Sequence, residues 1–178
     1  MSHVALLRAV NVGGRIVKME RLRRLFSDLG FRDVATLIAS GNVLFTPGRQ
    51  QPATLERRIE QSLAETFGFE VTTFVRTSAD LAAITVAEVM TAAAGESVLV
   101  GFLKTAPDAA AQARVAAMGT PNDDLQVVGR EAWWLRRGRI SDSRLSGGTL
   151  EKALGTPMTM RNITTVRKLA LLLAERRG

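Results

Sequence analysis

The stretch VATLIASGNVLF, residues 34–45, determines the architecture of the amino-terminal half. Two apolar runs of strand-like composition, residues 34–38 and 43–45, flank the small and turn-prone residues Ala39, Ser40, Gly41 and Asn42. Such a segment between two apolar runs favours a β-hairpin. The sequence therefore predicts two antiparallel strands in the middle of a longer pattern.

The segments on either side of this hairpin extend it to a β-α-β-β-α-β order. An apolar strand over residues 4–7 and a helix with one apolar stripe over residues 19–29 precede the hairpin. A second striped helix over residues 55–67 and an alternating strand over residues 69–75 follow it. This order is that of the ferredoxin-like unit, in which two helices cover one face of a four-stranded antiparallel sheet.

The same order of elements returns in the second half, although no residue motif aligns between the halves. The predicted elements are a strand at 98–103, a helix at 108–118, strands at 125–128 and 132–135, a helix at 149–154 and a strand at 158–161. We therefore predict an α+β fold of two ferredoxin-like units, residues 1–76 and 97–178. Residues 77–96 form a helical connector, and a terminal helix closes the second unit.

Composition restricts the classes of protein to consider. The chain has 178 residues, a net charge of +7, a single histidine and no cysteine. We expect a cytoplasmic protein that does not span a membrane, because no apolar run approaches the roughly 20 residues of a membrane helix. We also expect no cofactor and no metal, since neither a histidine cluster nor a cysteine site can be assembled.

Several spaced motifs resemble the bacterial domain-of-unknown-function family 1697. They are residues 5–14 (ALLRAVNVGG), Lys18-Met19, Leu22-Arg23, residues 40–45 (SGNVLF), Val75-Arg76-Thr77 and residues 159–169 (TMRNITTVRKL). The resemblance implies a pair of ferredoxin-like units and no established activity. The chain departs from the family at Ala9, where the family usually has glycine, and at Leu37 and Ala39, where it usually has an aromatic residue and glutamine.

The loop after the first strand is one candidate site. It carries Arg8, Asn11, Gly13 and Gly14, and glycine-rich loops before a helix can aim backbone N–H groups at phosphate. It lacks both the P-loop and the dinucleotide glycine patterns, so a structural turn is an equal interpretation. Ser40 and Asn42 could likewise contact a ligand, although a hairpin turn explains them more simply.

The start of the last helix is the other candidate. Arg161 ends a strand, Asn162 is placed to cap the helix, and Thr164 and Thr165 are expected to have unpaired N–H groups in the first turn. An ordinary cap beside a surface arginine is the alternative interpretation. We further expect the first loop and the hairpin turn to lie at opposite ends of the sheet, and His3 to be inert at the terminus.

The leading functional hypothesis is therefore the binding of an anionic or phosphate-bearing small molecule, which a basic chain attracts. A nucleic-acid-associated protein is an alternative that has little support, because a ferredoxin-like sheet usually stacks bases on aromatic residues and only Phe45 is offered. A protein-interaction module without a ligand and a phosphoryl-transfer enzyme also stay open. The oligomeric state is not determined by the sequence.

Overall fold

The computed structural model of the chain describes residues 1–10, 13, 16–37, 41–87, 89–138 and 143–176. Its strands are β1 (His3–Leu7), β2 (Arg32–Leu37), β3 (Asn42–Thr46), β4 (Thr73–Thr77), β5 (Glu96–Leu103), β6 (Asp123–Val128), β7 (Glu131–Arg137) and β8 (Met158–Asn162). Its helices are α1 (Met19–Asp28), α2 (Pro52–Phe67), α3 (Ser78–Ala87), α4 (Ala109–Ala116), α5 (Gly147–Leu154) and α6 (Ile163–Glu175).

The strands form two four-stranded sheets in which every pairing is antiparallel. The strand order is β2-β3-β1-β4 in the first sheet and β6-β7-β5-β8 in the second. The predicted α+β class with two antiparallel sheets is confirmed. The chain divides into two compact units, residues 1–84 with 168–178 and residues 85–167, so that the division falls within α6.

The sequence explains the limits of α2, which packs on the first sheet. Proline stands at the first position of α2, where its missing N–H costs nothing, and Gly68 ends the helix with a φ of 75°. Leu55, Ile59 and Leu63 form its stripe and are fully buried. They pack in a core with the inward side chains of β1 and β3, among them Ala5 and Phe45.

Several elements differ from their predicted limits, and the difference is largest at the start of β4. The strand expected over residues 69–75 is β4, which begins only at Thr73 and continues to Thr77. The alternation that suggested an earlier start comes from Phe69 and Val71, which pack against the core before the strand ladder begins. Within the predicted connector, residues 77–96, the helix is α3, Ser78–Ala87.

An irregularity in β2 is stabilised by the end of the chain. The register of β2 against β3 shifts between Arg32 and Ala35, and Asp33 between them has a φ of 52°. An extra residue in a left-handed conformation is typical of a β-bulge, and aspartate tolerates that conformation better than most residues do. A guanidinium nitrogen of Arg176 donates a 2.6 Å hydrogen bond to the carbonyl oxygen of Asp33.

Carboxylates from the helices bind the outer strand of each sheet. Glu60 and Glu56 of α2 accept hydrogen bonds of 2.8 Å from the backbone N–H groups of Thr73 and Val75 in β4. In the second unit, Glu151 of α5 accepts a 2.8 Å bond from the N–H of Met158 in β8. The same kind of contact therefore occurs in both units.

Arg76 and Arg161 occupy corresponding positions in the two sheets. Arg76 lies opposite Val4 of β1, and Arg161 lies opposite Val100 of β5. Each arginine donates from Nη1 to the carbonyl of the preceding residue, at 3.1 Å and 2.8 Å respectively. The structure thus reveals a correspondence between the halves that the sequence pattern did not.

Within the described residues, no helix has the length and apolar character needed to cross a membrane.

Candidate anion-binding site

The end of β1 brings together two of the sequence-predicted segments. The N–H of Leu7 donates a 2.8 Å hydrogen bond to the carbonyl of Gly41, and Leu6 pairs with Asn42. The expectation that the first loop and the hairpin turn lie at opposite ends of the sheet is wrong. Because β1 and β3 are antiparallel, the start of β3 lies beside the end of β1.

Some residues at the end of β1 and the start of β3 are exposed to solvent, and others are buried in the fold. Arg8 and Gly13 are exposed, and Gly13 has a φ of 63°. Asn42 is fully buried, and its Nδ2 donates a 3.2 Å hydrogen bond to the carbonyl of Leu37. Gly41 has a φ of 73°, and a Cβ there would clash with Cγ2 of Val10. Gly41 is thus packed tightly against the end of β1.

Three of the predicted site residues, Asn11, Gly14 and Ser40, lie outside the described residues.

At the start of α6, in the second unit, the predicted cation is used internally. Arg161 Nη1 donates hydrogen bonds of 2.8 Å to Oγ1 of Thr159 and to the carbonyl of Met160. Burial lowers the pKa of Arg161 to about 10, because the charged form loses solvation. Arg161 is therefore held against its own strand.

The cap of α6 is also occupied. Oδ1 of Asn162 accepts a 2.9 Å hydrogen bond from the backbone N–H of Thr164 and a 2.8 Å bond from the Thr164 hydroxyl. The expected cap is present, and the expectation of an unpaired Thr164 N–H is wrong because this cap satisfies it. Thr165 is half-buried.

A hollow of about 200 Å³ beside this cap has Asn162, Thr164, Arg167 and Glu96 in its lining. Glu96 pairs with Arg137 at 3.3 Å and places a carboxylate in the hollow. A carboxylate in a site this small opposes an anion. The start of α6 is therefore a weaker candidate for anion binding than its sequence suggests.

A larger cavity, of about 540 Å³, opens at the other end of the first sheet. Its lining residues all belong to the first unit. They are Met1, His3, Arg32, Pro47, Gly48, Arg49, Gln50, Gln51, Pro52 and Thr77. The lining contains two arginines and no carboxylate, and the volume lies in the range of roughly 300–1,000 Å³ that small-molecule sites occupy.

The pairing of the strands brings several of these residues to one end of the first sheet. His3 of β1 pairs with Phe45 of β3 on one side and with Thr77 of β4 on the other. Arg32 begins β2 opposite Thr46, and Arg49 follows β3. Both guanidinium groups are exposed, and neither has a hydrogen-bond or ion-pair partner among the residues that the structure describes.

Helix α2 begins at the same cavity. Gln51 is its N-cap, and the Gln51 side chain makes no capping hydrogen bond. Gln51 and Pro52 both line the cavity, so the positive end of a 16-residue helix faces it. The dipole and the two arginines give this end of the sheet a positive potential.

His3 is the titratable residue in the wall. It is 7% exposed, its Nδ1 lies 3.0 Å from the carbonyl oxygen of Met1, and its ring packs 5.9 Å from that of Phe45. Burial lowers the pKa of His3 most, and the positive amino group of Met1 lowers it further. The hydrogen bond to Met1 and the charge of Asp80 oppose this shift without reversing it.

The sequence did not indicate this cavity. His3, Arg32 and Arg49 share no motif, and their side chains meet only through the antiparallel register of β1, β2 and β3. The sole histidine is buried in the cavity wall.

Among the described residues of β1 and β3 in the first sheet, Phe45, Val4 and Leu6 do not offer a stacking platform for nucleic-acid bases. Phe45, the aromatic residue considered for that role, is fully buried in the core under the helices. Val4 and Leu6, which point to the opposite face of β1, are fully buried as well. Base stacking needs exposed aromatic rings on the central strands, which these residues do not provide.

A metal centre is not indicated either, since the described part of the chain has no cluster of three or more histidine, cysteine, aspartate or glutamate side chains able to hold an ion.

Fold and cavity together define an α+β protein with two four-stranded antiparallel sheets and a basic cavity at the end of the first. The chain belongs to the family described as "Protein of unknown function (DUF1697)", whose model matches residues 1–133. This confirms the resemblance read from the spaced motifs. No protein among the curated ones matches the sequence.

The fold is similar to a solved structure, described as that of conserved bacterial protein SP0830 from Streptococcus pneumoniae. The two share 25% sequence identity with a TM-score of 0.73, over 97% of this chain and 98% of that chain.

Proposed function

We propose that this protein binds a small anionic molecule bearing a phosphate group, and that it does so in the cavity at the His3 end of the first sheet. The observation that carries the proposal is that Arg32 and Arg49, which have no hydrogen-bond or ion-pair partner among the described residues, both line a cavity of about 540 Å³ whose lining contains no carboxylate.

Phosphate fits this arrangement for two reasons. Guanidinium groups form short, charge-assisted and often bidentate hydrogen bonds to phosphate oxygens. The start of α2 adds a favourable dipole for negative charge. Because Arg32 and Arg49 have no competing partner among the described residues, a ligand need not displace an existing ion pair.

The residues chosen from the sequence remain a competing location for the same function. Arg8 and Gly13 are exposed at the opposite end of the first sheet, whereas Arg161 and Asn162 lie in the second unit and are bonded within the protein. We favour the His3 end because Arg32 and Arg49 have no partner among the described residues. Each half is proposed to be a ferredoxin-like unit, residues 1–76 and residues 97–178 with the terminal helix, joined by the helical connector 77–96.

The test is a thermal-shift and calorimetric screen of the full chain against phosphorylated small molecules. A ligand at 100 times its dissociation constant should stabilise the protein by about 2.7 kcal/mol. Arg32→Ala and Arg49→Ala should each weaken binding about 10- to 100-fold, because each removes a charged hydrogen bond of about 1.5–3 kcal/mol.

Two variants locate the site. Arg24→Ala removes an exposed cation from α1, outside the cavity lining, and should leave the affinity unchanged. Arg8→Ala removes a cation from the opposite end of the sheet. Binding that Arg8→Ala abolishes and that survives Arg32→Ala and Arg49→Ala would refute the His3-end location. Binding of oligonucleotides alone, with a steep salt dependence, would favour the nucleic-acid alternative.

A further inference from the structure

The geometry of His3 points to a ligand that carries a hydroxyl group beside its anionic group, that is, a phosphorylated polyol such as a sugar phosphate. We propose that this hydroxyl donates a hydrogen bond to Nε2 of His3 while the phosphate is held by Arg32 and Arg49. The inference rests on the proposed function and narrows it from any phosphate compound to one chemical class.

The hydrogen bond to Met1 fixes the tautomer of His3. Nδ1 lies 3.0 Å from the carbonyl oxygen of Met1, and a carbonyl oxygen can only accept. Nδ1 must therefore carry the hydrogen and donate it. In the neutral ring Nε2 then has no hydrogen and presents a lone pair, so it can only accept.

Nε2 is an acceptor without a donor. His3 lines the cavity and is 7% exposed, and Nε2 has no hydrogen-bond partner within the described parts of the chain. This nitrogen keeps contact with solvent, so a donor that enters the cavity can reach it. The phosphate dianion offers no hydrogen, whereas a hydroxyl on the same ligand does.

The surroundings keep the ring neutral near pH 7. Charged groups around it are the Met1 amino group, Arg32 and Arg49 of the cavity, and Asp80 of α3, so cations outnumber the single carboxylate. Burial and the Met1 amino group lower the pKa of His3, against the smaller opposing effects of the Met1 carbonyl and Asp80. At acidic pH the ring gains a hydrogen on Nε2 and becomes a donor.

Thr77 offers a complementary contact from β4. Its Oγ1 accepts a 3.0 Å hydrogen bond from the N–H of Asp80, which leaves the hydroxyl hydrogen for an acceptor. Thr77 pairs with His3 across β1 and β4 and lines the same cavity. An acceptor from β1 and a donor from the adjoining strand suit a polyol, whose hydroxyl groups both donate and accept.

The first measurement uses the wild-type chain alone, with intact mass confirming that Met1 is present. His3 is the only histidine in the sequence, so the ring signals of ¹⁵N-labelled protein need no assignment. A long-range ¹H–¹⁵N spectrum at pH 7.5 should show the Nδ1–H tautomer. A predominant Nε2–H tautomer would overturn the inference.

The second measurement compares ligands matched in size. The pairs are glycerol 3-phosphate with propyl phosphate, and glucose 6-phosphate with cyclohexylmethyl phosphate. In at least one pair the hydroxylated member should bind the wild type about 10-fold more tightly at pH 7.5. The preference should shrink at pH 5 and vanish in His3→Phe, while the phosphate affinity that depends on Arg32 remains.

The outcomes separate this inference from the proposed function. Equal affinity within both pairs, with binding still weakened in Arg32→Ala, would overturn the polyol inference and leave the phosphate site intact. Absence of binding by every phosphate compound would overturn both. If His3→Phe does not fold, the wild-type tautomer and the ligand-induced change in the Nε2 signal decide the question without it.

Discussion

Nε1 of Trp134 donates a 2.8 Å hydrogen bond to Oδ1 of Asp123, a carboxylate that is only 1% exposed. The same carboxylate accepts from the hydroxyl of Thr120 at 2.7 Å and from that of Ser143 at 2.9 Å. Burial alone would raise the pKa of Asp123, but these three hydrogen bonds hold it below its ordinary value. One ionised side chain thus joins β6, β7 and the segment before α5.

Asp123→Ala should destabilise the protein by about 2–3 kcal/mol, because it leaves the buried Trp134 N–H without an acceptor and removes charged hydrogen bonds. Urea unfolding measures the loss. The neighbouring Asp124→Ala is the control: Asp124 is exposed and pairs with Arg137 at the surface, where ion pairs contribute little. Equal losses in the two variants would contradict the role given to Asp123.

The stability of the protein should depend on pH through His3. The folded state lowers the pKa of His3 below the ordinary value of 6.5, so below that value the unfolded chain binds more protons than the folded one does. The free energy of unfolding should therefore fall as the pH is lowered from 7 toward 5.

Urea titrations at several pH values measure this slope. In His3→Phe the slope over this window should be flatter than in the wild type, since the titrating group is gone. A slope that His3→Phe leaves unchanged would show that other groups cause it.

Gly41→Ala and Gly68→Ala form a matched pair with nearly equal φ angles of 73° and 75°. At Gly68 the added Cβ meets open space, so the cost should be the left-handed strain alone, about 1–2 kcal/mol. At Gly41 the Cβ would also lie 3.0 Å from Cβ of Leu7, which adds about 1–3 kcal/mol for overpacking. Similar unfolding free energies for the two variants would be the contrary result.

Ala9→Gly should stabilise the protein. Ala9 has a φ of 55°, a conformation that costs a residue with a Cβ about 1–2 kcal/mol. Glycine removes that strain and loses about 0.5–1 kcal/mol through the greater freedom of its unfolded chain. The net gain should be roughly 0.5–1 kcal/mol, measured by urea unfolding.

Ala83→Gly provides the opposite case. Ala83 is exposed within α3, where glycine should lower the stability by about 0.5–1 kcal/mol. If both substitutions lowered the stability, the strain at Ala9 would be excluded.

The sequence was sufficient for features that depend on local spacing. The stripe of Leu55, Ile59 and Leu63 predicted α2, and the turn between two apolar runs predicted the β2-β3 hairpin, because helical and strand periods are local properties. The cap at Asn162 was predicted for the same reason.

Features that depend on register could not be predicted in this way. Whether Arg161 faces a ligand or its own Thr159 depends on a side-chain direction that no spacing encodes. The cavity requires His3, Arg32 and Arg49 to arrive at one end of the sheet from three segments, and only the pairings of β1, β2 and β3 bring them there. The same pairings corrected the placement of the hairpin turn.

The glutamates that bind β4 and β8 have a consequence for association between copies of the chain. These are the outermost strands of their sheets, and unpaired backbone groups on an outer strand can recruit strands from other molecules and begin aggregation. Glu56 and Glu60 occupy the N–H groups of Val75 and Thr73, and Glu151 occupies that of Met158. By occupying these N–H groups, the carboxylates hinder the pairing of β4 and β8 with strands of other molecules.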